Sequence, residues 1–366
     1  MKTVKLSDVL IIKYGKDHKN LDNGNIPVYG SGGLMRMVDN YLYDGESVLI
    51  PRKGSLNNVQ FVSGKFWTVD TLFWTIINSN LIRPKYLYYI LKQLNFLSMN
   101  VGSAVPSLTA SILYPIEITI PSLDIQDKIL LKILPIESKI CLNKQINDNL
   151  LEILSTHFIK YIVSNQAKIP DGWKTFKLKD LSDVQNGFAF KSSEYVDHSE
   201  LPIIRTKNFN ENSLVETNDL KYISNSSKEK YKKFRFQSLD TVMVMVGASI
   251  GKTALITTRN LPGLQNQNMW RFRSKLSEYP EMLIFELVNY INAQVGGSAT
   301  GSAREFYRKT IFQEFEIALP KNSEELDIYS SIGKKIDSLA SETQRLTELR
   351  DALLPKLLNG EISLSN

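Results

Sequence analysis

Ile116-Glu117-Ile118-Thr119-Ile120-Pro121 returns 199 residues later as Phe315-Glu316-Ile317-Ala318-Leu319-Pro320. Each copy is a short alternating apolar run stopped by proline, which reads as a strand. The match extends outward in both directions. Leu123-Asp124-Ile125 returns as Leu326-Asp327-Ile328, and Gly102-Ser103-Ala104 as Gly297-Ser298-Ala299. Upstream, Pro84 pairs with Pro280 and Trp74 with Trp270. Glu46-Ser47-Val48-Leu49-Ile50 pairs with Asp240-Thr241-Val242-Met243-Val244, and Ile26-Pro27-Val28 with Leu201-Pro202-Ile203. Gly15 pairs with Gly187, and Lys5-Leu6-Ser7-Asp8-Val9 with Lys177-Leu178-Lys179-Asp180-Leu181. Any one such string recurs by chance. All of them in the same order, with an offset that climbs from 172 to 203, mean a tandem duplication with insertions in the second copy. Most of the climb, 175 to 194, falls between Pro202 and Val242, a polar stretch that reads as an extra loop or subelement.

Each copy has one plan. Short β-branched and aromatic runs such as Val48-Leu49-Ile50, Val59-Gln60-Phe61-Val62 and Thr241-Val242-Met243-Val244 read as strands. A helix follows each strand set, from Pro84 to Asn95 and from Pro280 to Asn292, with proline as the start signal. A long helix closes each copy. Its apolar seam holds Ile129, Ile133, Ile136, Ile140, Ile146, Leu150 and Leu154 in the first copy. In the second it holds Ile332, Ile336, Leu339, Leu346, Leu353 and Leu357. Steps of four and three make a coiled-coil seam, and polar Asn143, Asn147, Thr343 and Arg350 interrupt it. Pro135 should kink the first helix or delay its start, and Pro355 should disturb the end of the second. Either the two helices pair antiparallel or each lies on its own domain; the matching seams favour the pair.

The chain's 366 residues suggest two or three domains, and its net charge of +6 permits a polyanionic partner without demanding one. One cysteine, Cys141, excludes an internal disulfide and a multi-cysteine zinc site. Cys141 sits within the long helix, where it is expected to pack as a small apolar residue. His157 is expected to pack on the same helix, and His18 and His198 lie in polar loops. No nucleophile has a base at hand. No apolar run approaches a membrane span, and the opening residues do not read as a signal peptide, so a cytoplasmic location is expected. Gly247-Ala248-Ser249-Ile250-Gly251-Lys252-Thr253 imitates a phosphate-binding loop but has three residues between its glycines where four are needed.

Binding chemistry is better represented. The turns after the first copy's strands carry Tyr29, Ser31, Arg36, Arg52, Lys53, Ser55, Asn57 and Asn58. Those of the second carry Lys191, Arg205, Lys207, Asn208, Ser249, Lys252, Gln265, Asn266 and Gln267. Arginine and lysine suit phosphates and guanine edges, and asparagine and glutamine suit adenine edges. These residues are the candidate DNA-contacting set.

The chain resembles the specificity subunits of type I restriction–modification systems. The resemblance rests on Gly187-Phe188-Ala189-Phe190-Lys191-Ser192-Ser193-Glu194-Tyr195 with Leu201-Pro202-Ile203-Ile204-Arg205. In the first copy it rests on Tyr29-Gly30-Ser31-Gly32-Gly33 and Leu49-Ile50-Pro51-Arg52-Lys53-Gly54-Ser55. The ending, Leu349-Arg350-Asp351-Ala352-Leu353-Leu354-Pro355-Lys356-Leu357-Leu358-Asn359-Gly360-Glu361-Ile362, is the most specific stretch. One departure stands at the junctions, where the family's Glu-Gln is replaced by Ile125-Gln126 and Ile328-Tyr329.

The resemblance implies an α+β chain in which two α/β target recognition domains form a tandem pseudo-repeat, separated by two long helices in an antiparallel coiled coil. The expected layout is a first recognition domain over 1–122, a spacer helix over 123–168, a second recognition domain over 169–321, and a second helix and tail over 322–366. It implies a non-catalytic reader of a split, asymmetric double-stranded DNA target. The expected partners are two methyltransferase subunits and motor–nuclease subunits. These would carry S-adenosylmethionine, ATP and Mg, and no cofactor is expected on this chain. A helical adaptor with protein-binding ends, or a nucleotide-binding enzyme using residues 247–253, are the alternatives.

Overall fold

The computed structural model describes residues 1–102, 104–217, 219–296, 307–321 and 324–362. Ser103 and the repeat match at Gly297-Ser298-Ala299 lie outside the described residues. The chain divides into two compact units, residues 1–137 with 348–366, and residues 138–347.

The first unit begins with β1 (Lys2–Lys5), α1 (Leu6–Val9), β2 (Leu10–Tyr14), β3 (Ile26–Gly30), β4 (Gly33–Val38) and β5 (Tyr43–Asp44). It continues through β6 (Ser47–Pro51), β7 (Gln60–Val62), β8 (Lys65–Thr68), β9 (Leu72–Ile77), α2 (Pro84–Gln93), α3 (Ala110–Leu113) and β10 (Glu117–Ile120). Its sheets run β2-β9-β6-β7, β4-β3-β8-β5 and β1-β10. The strand quoted at the outset is β10. It pairs antiparallel with the opening residues, Lys2 opposite Ile120 and Lys5 opposite Glu117.

After α4 (Leu123–His157) the second unit has β11 (Trp173–Lys177), α5 (Leu178–Leu181), β12 (Ser182–Asn186), β13 (Tyr195–Val196), β14 (Leu201–Ile204) and β15 (Lys221–Ile223). Then come β16 (Thr241–Val244), β17 (Thr253–Leu255), β18 (Leu264–Gln265), β19 (Met269–Ser274), α6 (Glu281–Gly296), α7 (Lys309–Gln313), β20 (Glu316–Pro320) and α8 (Asp327–Leu358). Its sheets, β12-β19-β16-β17, β13-β15-β14-β18 and β11-β20, repeat the plan of the first unit.

The repeated residues have shared physical roles. Asp8 accepts from the Lys5 amide at 2.8 Å, and Asp180 from the Lys177 amide at 3.2 Å, each capping the first turn of its short helix. Gly15 and Gly187 each lie under a backbone carbonyl. A Cβ would fall 2.0 Å from Val69 O in one case and 1.8 Å from Asn266 O in the other, so only glycine fits. The extra stretch of the second copy is a subelement. It supplies β15, and Phe209, Val215 and Phe236 pack with Val242 and Val244 of β16.

The first long helix starts at Leu123, runs through Pro135 and ends in a wide turn over Phe158–Ile162. The expected delay at Pro135 does not occur. The proline removes the donor to the Leu131 carbonyl, but Leu131 is 71% exposed, so that carbonyl lies on the side that water can reach. Cys141 is exposed, contrary to the expectation that it packs. Its position faces away from the seam.

Within the second unit the helices run antiparallel. His157 Nδ1 meets the Tyr329 hydroxyl at 3.1 Å, and Asn143 Nδ2 donates to Glu342 at 2.8 Å, so partners descend on one helix as they ascend on the other. Ile140, Asn143, Asn147 and Leu154 are buried there, as are Ile336 and Leu339, with Ile146, Leu150 and Leu346 half-buried. In the first unit Ile129, Ile133, Leu354 and Leu357 join one apolar core, with Leu353 and Ile136 half-buried. The junction glutamine has a clear purpose. Gln126 is fully buried, accepts from the Arg83 amide, and donates to the Leu81 and Pro121 carbonyls, tying α4 to the segment before α2. Tyr329 holds the corresponding place in the second copy and bonds His157 instead.

Candidate nucleic-acid interface

The first unit gathers its candidate loops around the tip of the β3–β4 hairpin. Asn58 Nδ2 donates to the Ser31 carbonyl at 2.8 Å, and Gln60 donates to the Gly30 carbonyl at 2.9 Å. The Arg52 and Lys53 amides both bond the Thr71 carbonyl. An open cleft of about 920 Å³ lies beside them, lined by Lys19, Ser31, Met35 and Thr71 among others. Arg52 donates to the Asp70 carbonyl and lies over the Tyr14 ring at 5.3 Å. Lys53 and Ser55 are exposed, and among the described residues the Lys53 ammonium meets no carboxylate. Asn57 is tied to Asn95 and the Leu97 amide. Tyr29 is half-buried, and burial pushes its phenol pKa up. Arg36 is not free to read bases, because its guanidinium closes the preceding loop on the Leu21 carbonyl at 2.6 Å.

The second unit splits its set into two groups. Arg205 donates to the Asp219 carbonyl at 2.6 Å, and Lys207 pairs with the Asp219 carboxylate, whose pKa this ammonium lowers. Separately, Lys252 pairs with Glu211 at 2.7 Å, and Ser249 is exposed in the same turn. That turn joins two antiparallel strands, β16 and β17, and Thr253 is already part of β17. A phosphate-cradling loop opens a helix, so the nucleotide-binding alternative fails on topology as well as spacing. Two expected contacts are corrected. Gln265 is fully buried and donates to the Gln185 and Met269 carbonyls, and Asn208 is 4% exposed and caps the Arg205 amide. Both hold loops in shape from beneath. Asn266 pairs with Phe188 in an isolated bridge, and Gln267 is exposed.

Other residues were missed. Lys228-Glu229-Lys230-Tyr231-Lys232-Lys233-Phe234-Arg235 carries five cations to one carboxylate, a charge run that was open to reading. It meets the Lys191 loop through Glu194, which accepts from Lys230 and Tyr231 and whose pKa they lower to about 2. In the first unit Lys16, Lys19 and the exposed Leu34 and Met35 were also passed over.

A family described as the type I restriction modification DNA specificity domain matches residues 1–152 and again 170–351. The chain belongs to that family. It is a type I specificity subunit, the non-catalytic class of subunit in these systems. A putative type I specificity subunit of Haemophilus influenzae is 23% identical over 322 residues, which cover 85% of this chain and 80% of that one. A type I restriction enzyme specificity subunit of Methanocaldococcus jannaschii is 24% identical, covering 77% and 71%. The crystal structure of an S subunit from M. genitalium shares the fold with a TM-score of 0.62 at 15% identity, covering 97% of this chain and 95% of that one.

Proposed function

We propose that each unit of this specificity subunit reads one part of a split, asymmetric double-stranded DNA target, and that the long helices set the number of unread bases between the parts. The duplication carries this reading. The same scaffold is built twice, yet the loops at its face differ in sequence, length and charge, so the two parts of the target differ. In this reading two methyltransferase subunits dock on the chain and bring S-adenosylmethionine to an adenine. Motor–nuclease subunits bring ATP and Mg. The loops supply phosphate contacts for affinity and side-chain contacts for choice of sequence.

Mapping methylated adenines in a genome that carries this chain should return a two-part, asymmetric target. Adding four residues to both helices lengthens each by about 6 Å and should change the preferred gap while leaving both parts unchanged. An unchanged gap would remove the helices from that role. The adaptor alternative predicts no duplex binding by the chain together with its methyltransferase partner.

A further inference from the structure

The β3–β4 hairpin exposes apolar side chains where an edge strand is ordinarily polar. Across it Val28 stands opposite Arg36 and Tyr29 opposite Leu34, so Met35 has no partner. Such a bulge adds one residue to a strand and re-aims the side chains around it. In a regular strand Leu34 and Met35 point to opposite faces. Here they are 62% and 55% exposed, and both line the same cleft. Met35 is seated across Gly30, where a Cβ would lie 2.6 Å from its sulfur. The cleft is otherwise polar, with His18, Lys19 and Thr71 in its wall. The Lys53 amide hangs on that same Thr71.

Two apolar side chains framed by cations match a surface whose apolar groups are small and ringed by phosphates. The major groove has one such group, the C5-methyl of thymine. We propose that Leu34 and Met35 are specificity-determining residues that pack on a thymine methyl in the part of the target read by the first unit. This rests on the reading that the unit binds DNA.

The test uses the full chain assembled with its methyltransferase partner and a duplex target known from methylation mapping. Each thymine in the half read by the first unit is replaced in turn by deoxyuridine, which removes only the methyl. One replacement should weaken binding by about fourfold, the worth of one buried methyl-sized group. The Leu34→Ala, Met35→Ala double variant should bind the thymine duplex about as weakly as the unchanged chain binds that uracil duplex, and the same replacement should not weaken it further. If every replacement weakens both proteins equally, or none weakens either, the proposal is overturned. Both side chains are exposed, so the fold should survive their loss, and binding to the other half of the target controls for it. Failure of the assembled complex to bind any target duplex defeats the DNA-reading role itself, a different outcome from these.

Discussion

The first unit leaves Lys53 unpaired at its loop face, whereas the second ties Lys207 to Asp219 and Lys252 to Glu211. The interiors differ in the same sense. Beside Trp74 the first unit places Thr75, whose hydroxyl donates to the Val48 carbonyl while Ser47 donates to the Thr75 carbonyl. Beside Trp270 the second places Arg271, 3% exposed and paired with Asp183, and two residues on Arg273 grips the fully buried Asp240 through both carboxylate oxygens. One fold thus satisfies the same sheet positions with neutral hydroxyls in one copy and with ion pairs in the other. The second copy is polarised within itself, and its loop cations must exchange carboxylate for phosphate to bind DNA.

The largest effect expected from this contrast is on stability. Arg273→Met strands a buried carboxylate and should cost the second unit about 3–5 kcal/mol. Thr75→Val in the first should cost only about 1 kcal/mol. Denaturant unfolding of the two variants measures both, and equal losses would break the comparison.

A smaller effect is tied to pH. Burial pushes the Glu286 pKa from 4.5 up to about 8, so the folded chain keeps a proton that the unfolded chain releases. The stability of the second unit should therefore fall as pH rises from about 4.5 to about 8 and then level off. Glu286→Gln should remove that slope. A slope that persists in the variant assigns it to other groups.

The smallest effects concern DNA. Lys53→Ala should weaken binding and lower the salt slope by about one. Lys252→Ala should do less, because its charge is already half-satisfied, and Glu211→Gln should strengthen binding by roughly twofold by freeing that lysine. Weakened binding by Glu211→Gln would show that the carboxylate contributes to the interface instead of competing with phosphate.

Much of the fold was legible because duplication writes the same physical needs twice. Asp8 and Asp180 cap the same turn, and Gly15 and Gly187 yield to the same carbonyl approach. The site was less legible. Gln265 and Asn208 look like base readers in a list of polar loop residues, but a side chain's polarity does not say whether its partner is base or backbone. Leu34 and Met35 look like core, since the one-residue bulge that turns them outward leaves no mark in an apolar strand. Pro135 misled because helix breaking was judged without knowing that the freed carbonyl belongs to an exposed turn.

The division of the chain has a consequence for its synthesis. The second unit is one continuous stretch, residues 138–347, and can close as soon as that stretch leaves the ribosome. The first cannot. Its core includes Leu354, Leu357 and Leu358, packed in one cluster with Val4 and Ile118. The part made first therefore waits, with an open flank of apolar surface, until nearly the last helical turn has been translated. Nascent chains stalled short of residue 348 should carry a finished second reader and an unfinished first one.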